Sequence, residues 1–336
     1  MGTTNITLPS NTFIARALFG IGRTDARKRL LLVGLFAVLY WIGSYTFPDG
    51  DWDGWAIWNV RAKMIYQLGF HAAYTAAPEL PHLDYPPFLP TSIALIWSAT
   101  GGAVAAPALV HGAFFLVLLW LMSGASLWAA TLPYAVTQSA DTAIATFLLA
   151  AIVAHHYGKP VLTGFLLGLA ALTKNEGALM LLSYTLVMTV VHRKPPLLML
   201  MGAALPLTTL LLFKLVLPHH NVLMGSGGIL ERATDLTRYL AIVGYIVPAT
   251  PRFGSGSWLL LAVCLWMYHI RVRLTPVVAA VGLIWLGYIA IYVITPYDLY
   301  WHMSGSYDRL LLQLFPALVY ALICSARRTG GNLTAV

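Results

Sequence analysis

The stretch RKRLLLVGLFAVLYWIGSYTFPDGDWDGW, residues 27–55, decides the fold, because it runs from a basic flank through an apolar segment into an acidic loop. The apolar part, residues 30–47, is long enough to cross most of a bilayer as a helix. It is too long and too aromatic for a secretory signal peptide, so we predict that it is the first membrane helix. Its basic flank predicts a cytoplasmic start. Asp49, Asp51 and Asp53 therefore emerge on the outer side.

The composition of the whole chain excludes a soluble globular protein. Of its 336 residues, 59% are apolar or aromatic and only 10% are charged, and the mean hydropathy is +0.75. Soluble domains are about half apolar and a quarter charged. The net charge of +8 is then explained by residues that set membrane topology, and no nucleic-acid partner is expected. We predict an all-α fold, a polytopic transmembrane helix bundle of about ten spans in the lipid bilayer.

Nine further apolar runs follow the first one. They cover residues 89–100, 107–127, 142–157, 161–173, 177–191, 197–217, 256–270, 275–294 and 310–325. Residues 125–140, with Pro133 inside, form either a half-helix or an additional span. The two long outer segments, 48–88 and 218–255, contain amphipathic stretches at 55–70 and 231–247, which we expect to lie as helices on the membrane surface.

Charged residues separate between the two sides when these spans alternate. The cytoplasmic segments collect 12 Lys and Arg residues beside one acid, Asp25, and the outer segments collect the other 11 acids. The distribution of Lys and Arg predicts that both termini are cytoplasmic. Residues 1–29 then form a cytoplasmic segment, 30–325 the transmembrane domain and 326–336 a cytoplasmic tail. The acids gathered on one face indicate chemistry there.

The acids of the first outer loop allow three interpretations. A carboxylate at the membrane boundary is partly desolvated, which raises its pKa and favours a general base. A helix that starts at Asp53 would lower that pKa instead, so the sign stays open. In the second interpretation, the loop is solvated and its charges form ordinary ion pairs. In the third, Asp51 and Asp53 hold a divalent cation through their carboxylate oxygens.

Three more polar motifs lie at the outer ends of predicted spans: HLDYPPFLP at 82–90, TKNEG at 173–177 and TPYDLYWHMSGSYDRLLLQLFP at 295–316. Arg309 lies close to the hydrocarbon boundary, where an ionisable group needs a partner or a ligand. Its alternatives are an internal ion pair with Asp308 or Asp298, or snorkelling to the interface. Lys174 and Glu176 can pair with each other. The histidines show no spacing typical of a zinc site.

Together, these motifs and the helix layout resemble the GT-C superfamily of integral-membrane glycosyltransferases, in particular bacterial relatives of the protein O-mannosyltransferase and aminoarabinose transferase group. The resemblance rests on DGWAIWNVRAKMIYQLGF (53–70) and on the three motifs above, and it covers about residues 30–325. It implies an inverting hexosyl or pentosyl transfer from a polyprenyl-phosphate sugar donor to an acceptor hydroxyl at the outer face. With the short loops, it implies a bacterial inner membrane. The acceptor, whether lipid, glycan or protein, is not identified.

The resemblance also implies roles for individual residues. The general base corresponds to Asp53, with Asp51 second. Donor-phosphate ligands are expected among Arg61, Lys63, Lys174 and Arg309. The other motif residues expected to bind substrate are His82, Asp84, Tyr85, Glu176 and His302. Relatives that use lipid-phosphate donors often work without metal, so no metal or other cofactor is expected. One departure is that Gly54, not a second acid, follows Asp53.

The rival hypothesis is a flippase or transporter of a lipid-linked saccharide. A transporter needs polar or ionisable groups near the bilayer midplane, along the route of its substrate. In this sequence the spans are almost free of charge, and Lys214 lies close to an outer end. The one-sided placement of the charges favours an enzyme.

Overall fold

The computed structural model of the protein describes residues 26–122, 125–217, 227–253, 270–272 and 274–328. These residues are helical apart from loops and two strands of three residues each, which confirms the predicted all-α class. The strands, β1 (Ile270–Val272) and β2 (Ala326–Arg328), pair antiparallel with Arg271 opposite Arg327. Of the predicted cytoplasmic segment 1–29, residues 1–25 lie outside the described ranges. Of the predicted tail 326–336, residues 329–336 lie outside them.

Fourteen α-helices occur in the described ranges. The first seven are α1 (Ala26–Thr46), α2 (Val60–Leu68), α3 (Phe70–Thr75), α4 (Phe88–Thr100), α5 (Ala106–Leu121), α6 (Ala125–Val136) and α7 (Ala140–His156). The second seven are α8 (Pro160–Thr173), α9 (Asn175–His192), α10 (Leu197–Val216), α11 (Ile229–Thr234), α12 (Leu236–Ala249), α13 (Pro276–Ile294) and α14 (Leu299–Ser325). A π-helical segment, Gly54–Asn59, runs directly into α2.

Two of the described helices are long and apolar enough to cross a bilayer. They are α10, with 20 residues and a mean hydropathy of 1.9, and α13, with 19 residues and a mean hydropathy of 2.4. A hydrocarbon core of about 30 Å requires about 20 helical residues. Only 22% of the apolar window of α10 and 33% of that of α13 are buried inside the protein. The core helix of a soluble protein would be mostly buried, so the exposed apolar surface of these two helices suits a lipid surrounding.

The helices around the polar loops run in defined directions. α5 and α7 run in the same direction, because Val110 and Ala140 share a buried cluster nearer the two helix starts, while further along the Thr146 hydroxyl donates to the Phe114 carbonyl at 3.1 Å. α1 packs against α5, where the Tyr40 hydroxyl donates to the Ala108 carbonyl at 2.6 Å and the Tyr40 and Phe115 rings lie 5.6 Å apart. We call the end of the bundle formed by residues 48–53, 137–141 and 174–176 the acidic end. α7 begins there.

α4 covers the predicted run at 89–100 and lies alongside α2, with the rings of Tyr66 and Trp97 6.1 Å apart and Gly102 next to the Tyr66 hydroxyl. It has 13 residues, about 20 Å of helix.

The predicted run at 107–127 is divided between α5, which ends at Leu121, and α6, which begins at Ala125 and covers most of the separate stretch predicted at 125–140. The other predicted runs for which the structure describes the residues coincide with helices. The run at 256–270 lies outside the described residues except for Ile270 in β1. The predicted surface stretch at 55–70 is helical but ends at Gly69, whose φ of +85° stops α2. The stretch at 231–247 is divided between α11 and α12 at Asp235, whose carboxylate accepts a hydrogen bond from the Thr237 amide at 2.9 Å.

The last helix begins earlier than the apolar pattern predicts. α14 starts at Leu299 rather than near residue 310, because the Asp298 carboxylate accepts a hydrogen bond from the Trp301 amide at 2.8 Å and caps the first turn. His302 and Arg309 are consequently on a helix. Arg309 is therefore held at a fixed position on a rigid element.

α8 and α10 run parallel and pack through glycines. A Cβ atom on Gly164 would lie 1.7 Å from the Met199 carbonyl oxygen, and one on Gly202 would lie 1.9 Å from the Val161 carbonyl oxygen. These distances allow no side chain at either position, so the two backbones touch. Small residues of this kind are typical of close helix contacts in membranes.

Replacing Gly164 with Ala is therefore expected to lower the stability of the protein by about 2 kcal/mol through overpacking. The measurement is the thermal unfolding midpoint of the detergent-solubilised protein. Gly282→Ala is the matched control, because a Cβ at that helical position in α13 meets no atom within 4 Å. Equal midpoints for the two variants would contradict the close contact between α8 and α10.

Candidate active site

Charged side chains from four separate segments meet at the acidic end. The Arg309 guanidinium donates to the Asp53 carboxylate, and its Nε lies 4.0 Å from Asp141 Oδ2. On the other side of Asp141, Oδ1 is 3.0 Å from Lys174 Nζ, which is also 2.9 Å from Glu176 Oε1. We call Asp53, Arg309, Asp141, Lys174 and Glu176 the ionic cluster. It brings together four of the residues selected from the sequence, and it adds Asp141.

The first loop is fixed against the α6–α7 junction by Gln138, which has no exposed surface and a φ of +57°. Its side-chain amide donates to the carbonyls of Phe47 and Pro48 at 3.0 and 3.1 Å. Its carbonyl oxygen accepts from Asn59 at 2.9 Å. Because both ends of the loop are tied to one buried side chain, Asp53 is presented to α14 from a defined position.

Close packing explains why glycine, at Gly54, follows Asp53. A Cβ on Gly54 would lie 2.7 Å from the Thr137 carbonyl oxygen, which also accepts a hydrogen bond from the Asp51 amide at 3.0 Å. The junction therefore crosses directly over the loop at this point. A second acid in place of Gly54 would push Asp53 away from the ionic cluster.

The TKNEG motif forms the sharp turn between α8 and α9. Lys174 is extended, with φ −155° and ψ 153°, and separates the two helices. A Cβ on Gly177 would lie 2.0 Å from the Ala170 carbonyl oxygen, so only glycine lets α9 start this close to α8. The turn places Lys174 and Glu176 together, as the sequence suggested, and also against Asp141.

Asp141 is the functional candidate that sequence reasoning did not select. Its side chain is 1% exposed. It accepts hydrogen bonds from the Ser139 hydroxyl and Lys174, each at 3.0 Å, and from the Gln313 amide. The Tyr288 hydroxyl in turn donates to Gln313. A buried carboxylate with this many donors is held as an anion, which fixes the two cations beside it.

The two candidate bases are in different surroundings. Asp51 Oδ1 accepts from the Gly54 amide at 3.1 Å, and burial raises the pKa of this carboxyl. Asp53 instead faces the ionic cluster, with 18% of its side chain exposed and its carboxylate on Arg309. The geometry favours Asp53 as the group that a substrate reaches next to the cations.

Three stacked rings border the cluster on the HLDY loop. Tyr85 lies between Trp58, with ring centroids 5.4 Å apart, and His82, with centroids 4.4 Å apart. Lys174 Nζ is 6.0 Å from the Tyr85 centroid. His82 has a φ of +57°, and its burial lowers the pKa of the imidazole, so the ring is neutral at neutral pH. Because Trp58 and His82 cover the two faces of Tyr85, the stack fixes the HLDY loop beside Lys174.

A second polar group ties this loop to the TKNEG turn. Asn175 donates to Asp84 Oδ2 at 2.7 Å, and Lys214 at the end of α10 donates to the Asp84 carbonyl. Lys214 also lies 3.4 Å from Asn175 Oδ1. Sequence reasoning noted Lys214 near an outer end but gave it no role. Its contacts show that it positions the loop that carries Tyr85.

Three predicted ligands take no part in the ion pairs of the cluster. Arg61 is buried, donates to the Ala73 carbonyl and lies 4.9 Å over the Tyr74 ring. Lys63 is exposed on α2, and in the described part of the chain neither cation has an ion pair. His302 Nδ1 lies 2.9 Å from the Thr295 hydroxyl. The structure therefore places the predicted phosphate ligands Arg61 and Lys63 outside the ionic cluster, and His302 beside it on α14.

The alternatives for Arg309 and Lys174 are resolved by contacts. Arg309 pairs with Asp53, not with Asp308 or Asp298 as the internal-pair interpretation requires. Lys174 does pair with Glu176, but it also pairs with Asp141. Across the described ranges, no group of three or more His, Cys, Asp or Glu is arranged to hold a metal ion.

The ionic cluster is distinct from the apolar cavities of the protein. A cavity of about 450 Å³ lies between residues 37–42 of α1 and 108–116 of α5, and its lining contains no charged side chain. A cavity of this kind has no group that can act on a polar substrate. The ionic cluster is therefore the candidate active site.

Comparison with known proteins adds no further assignment, because no family model, no curated protein and no solved structure matches the chain. The candidate site consequently stands on its geometry and on the sequence motifs that form it.

Proposed function

We propose that the protein is an integral-membrane inverting glycosyltransferase, which moves a sugar from a polyprenyl-phosphate donor to an acceptor hydroxyl at the outer face of the membrane. The observation that carries the proposal is the ionic cluster, in which a partly exposed carboxylate, Asp53, pairs with Arg309, and Arg309 and Lys174 lie on either side of the buried Asp141. A phosphate leaving group requires fixed positive charge, and an acceptor hydroxyl requires a base. Both requirements are met within one group of contacting residues.

The proposed bundle has about ten spans: α1, α5 to α10, the predicted run at 256–270, α13 and α14, with α6 in place of the predicted run at 89–100. The run at 256–270 enters as the span that its apolar sequence predicts, since residues 254–269 lie outside the described ranges.

The proposed orientation places the acidic end outside a bacterial inner membrane and both termini in the cytoplasm. The opposite end of the bundle contains the turn with Lys159, the turn with Arg193 and Lys194, and the strand pair with Arg271 and Arg327. Basic residues at one end and acids at the other follow the positive-inside distribution. The lipid tail of the donor would remain in the bilayer while its phosphate reaches the ionic cluster.

In the proposed reaction, Asp53 takes the proton of the acceptor hydroxyl as its oxygen bonds to the anomeric carbon. The bond from that carbon to the phosphate oxygen breaks, and the electron pair leaves with the phosphate. Arg309 and Lys174 stabilise the charge that develops on the phosphate. Asp141 keeps both cations in place, and the partly exposed His82 ring at the outer end of the stack is the group proposed to contact the sugar.

The proposal is tested by incubating the purified protein in proteoliposomes with a panel of polyprenyl-phosphate sugars. Transfer of the sugar, or slow hydrolysis of the donor, by at least one member of the panel is the expected result. Movement of the intact lipid between leaflets with no covalent change would instead establish a flippase and contradict the enzyme proposal.

Chelation of divalent cations with EDTA is expected to leave transfer unchanged within assay error. The physical reason is that Arg309 and Lys174 already supply the positive charge for the phosphate, while the Asp51 and Asp53 carboxylates bond to different donors. Activity that disappears in EDTA and returns with Mg²⁺ or Mn²⁺ would show that the D-x-D pair holds a metal.

A further inference from the structure

Arg309 is shared unequally between two acids. Its guanidinium donates to Asp53, while its Nε is buried, has no hydrogen-bond partner, and lies 4.0 Å from Asp141 Oδ2. That distance is too long for a hydrogen bond. Arg309 therefore has an unused donor directed toward a second anion.

The two acids are also held unequally. Asp141 accepts from Ser139, Lys174 and Gln313, so its position does not depend on Arg309. In the described part of the chain, the hydrogen bond and ion pair recorded for the Asp53 side chain both involve Arg309. A small movement of Arg309 toward Asp141 would release Asp53 without disturbing the rest of the cluster.

We propose that Asp53 and Arg309 form a latch that the phosphate of the lipid donor opens, so that the base becomes free only after the donor has bound. The inference rests on the proposed function and concerns the regulation of that same site. The phosphate and Asp53 compete for the same N–H groups of Arg309. A carboxylate in an ion pair is a weaker proton acceptor than a free one, because the cation stabilises its charge.

The latch has a kinetic consequence. The acceptor meets an active base only in the complex with donor, so the donor binds first and the acceptor second. This order also prevents the acceptor from meeting an active base while the phosphate site is empty. Lys174 is held by Asp141 and Glu176 and keeps its partners, and Arg309 is the cation that changes partner.

The test measures the affinity of the purified full-length protein in nanodiscs for polyprenyl phosphate without a sugar. Asp53→Asn is expected to bind this lipid about tenfold more tightly than the wild type, the size of one charge-assisted hydrogen bond no longer competing. Asp49→Asn is the matched control, because Asp49 lies in the same loop, is exposed and takes part in none of the ion pairs of the described residues, so the affinity of this variant should stay unchanged. Arg309→Gln should weaken binding.

A double variant separates the latch from a general loss of negative charge. If Arg309 mediates the effect, Asp53→Asn should give no gain when Arg309→Gln is already present. The same gain with and without Arg309, or no gain in the single variant, would overturn the latch. The proposed function would then still be judged by transfer from the donor panel. A wild type that is folded but binds no polyprenyl phosphate would overturn the proposed function itself, and the latch with it.

A measurement on the wild type covers the case in which Asp53→Asn does not fold. A water-soluble carbodiimide labels free carboxyl groups, and peptide mass spectrometry reports the labelling of Asp53. Adding polyprenyl phosphate should speed this labelling several-fold, whereas uncharged polyprenol should not. Labelling that is unchanged or slowed by polyprenyl phosphate would contradict the release of Asp53.

Discussion

Asp53→Asn is expected to lower the rate of sugar transfer by about 10³-fold, the range in which a general base contributes. The substitution keeps the size of the side chain, but it removes the group that accepts the proton and the charge that pairs with Arg309. Of the two candidate bases, Asp53 combines partial exposure with contact to a cation, whereas Asp51 bonds to the Gly54 amide. The loss should therefore appear in kcat, while donor affinity should not fall.

The measurement is transfer of a radiolabelled sugar by the purified variant in proteoliposomes. Asp51→Asn serves as the control, because Asp51 lies two residues away and caps the Gly54 amide. It should retain most of the activity. Unchanged turnover by Asp53→Asn would remove Asp53 from the role of base, and a large loss with Asp51→Asn alone would transfer that role to Asp51.

Asp141→Asn is expected to destabilise the protein by about 3 kcal/mol, the lower part of the range for breaking a buried ion pair. Asp141 is 1% exposed and neutralises Lys174, whose side chain is 5% exposed. Without Asp141, Lys174 keeps Glu176 as a partner, which limits the loss. The Asn side chain that replaces the carboxylate also places its own NH₂ donor opposite the hydroxyl donor of Ser139 or the amide donor of Gln313.

The measurement for Asp141→Asn is the thermal unfolding midpoint in detergent. Asp308→Asn is the control, since Asp308 neighbours Arg309 on α14 but is exposed. The midpoint should fall for Asp141→Asn and stay near that of the wild type for Asp308→Asn. If both variants unfold like the wild type, then Asp141 does not hold the cluster together.

The sequence predicts which residues share an end of the bundle, but not which of them touch. Alternating spans and the basic flanks put Asp53 and Arg309 on one side, because topology specifies depth along the membrane normal. Their contact depends on which helices are neighbours in the plane. That is set by packing details such as the buried Gln138 at the α6–α7 junction, which no pattern in the sequence marks.

Arg61 is a residue that the sequence selected as a phosphate ligand but that the structure places outside the ionic cluster. It lies eight residues after Asp53 and resembled a phosphate ligand by charge and position. Its partner, the Ala73 carbonyl, comes close because the chain turns at Gly69. A sequence pattern reveals the positive charge but not the direction of the side chain.

Asp141 could have been found from the sequence by one signal. It lies at the start of a helix that is rich in apolar residues and contains no other acid, and 13 of the 17 residues of this helix are buried. A lone carboxylate in such a helix requires a cation, and Lys174 in TKNEG was available at the same end.

The most direct test of the account is an electron cryomicroscopy structure of the protein with polyprenyl phosphate in a nanodisc. We expect the phosphate within hydrogen-bonding distance of Arg309 and Lys174, with Asp53 no longer paired to Arg309 and the lipid tail in the bilayer. A phosphate bound elsewhere, or an Asp53 that lies far from the bound phosphate, would contradict the proposal that this cluster is the active site.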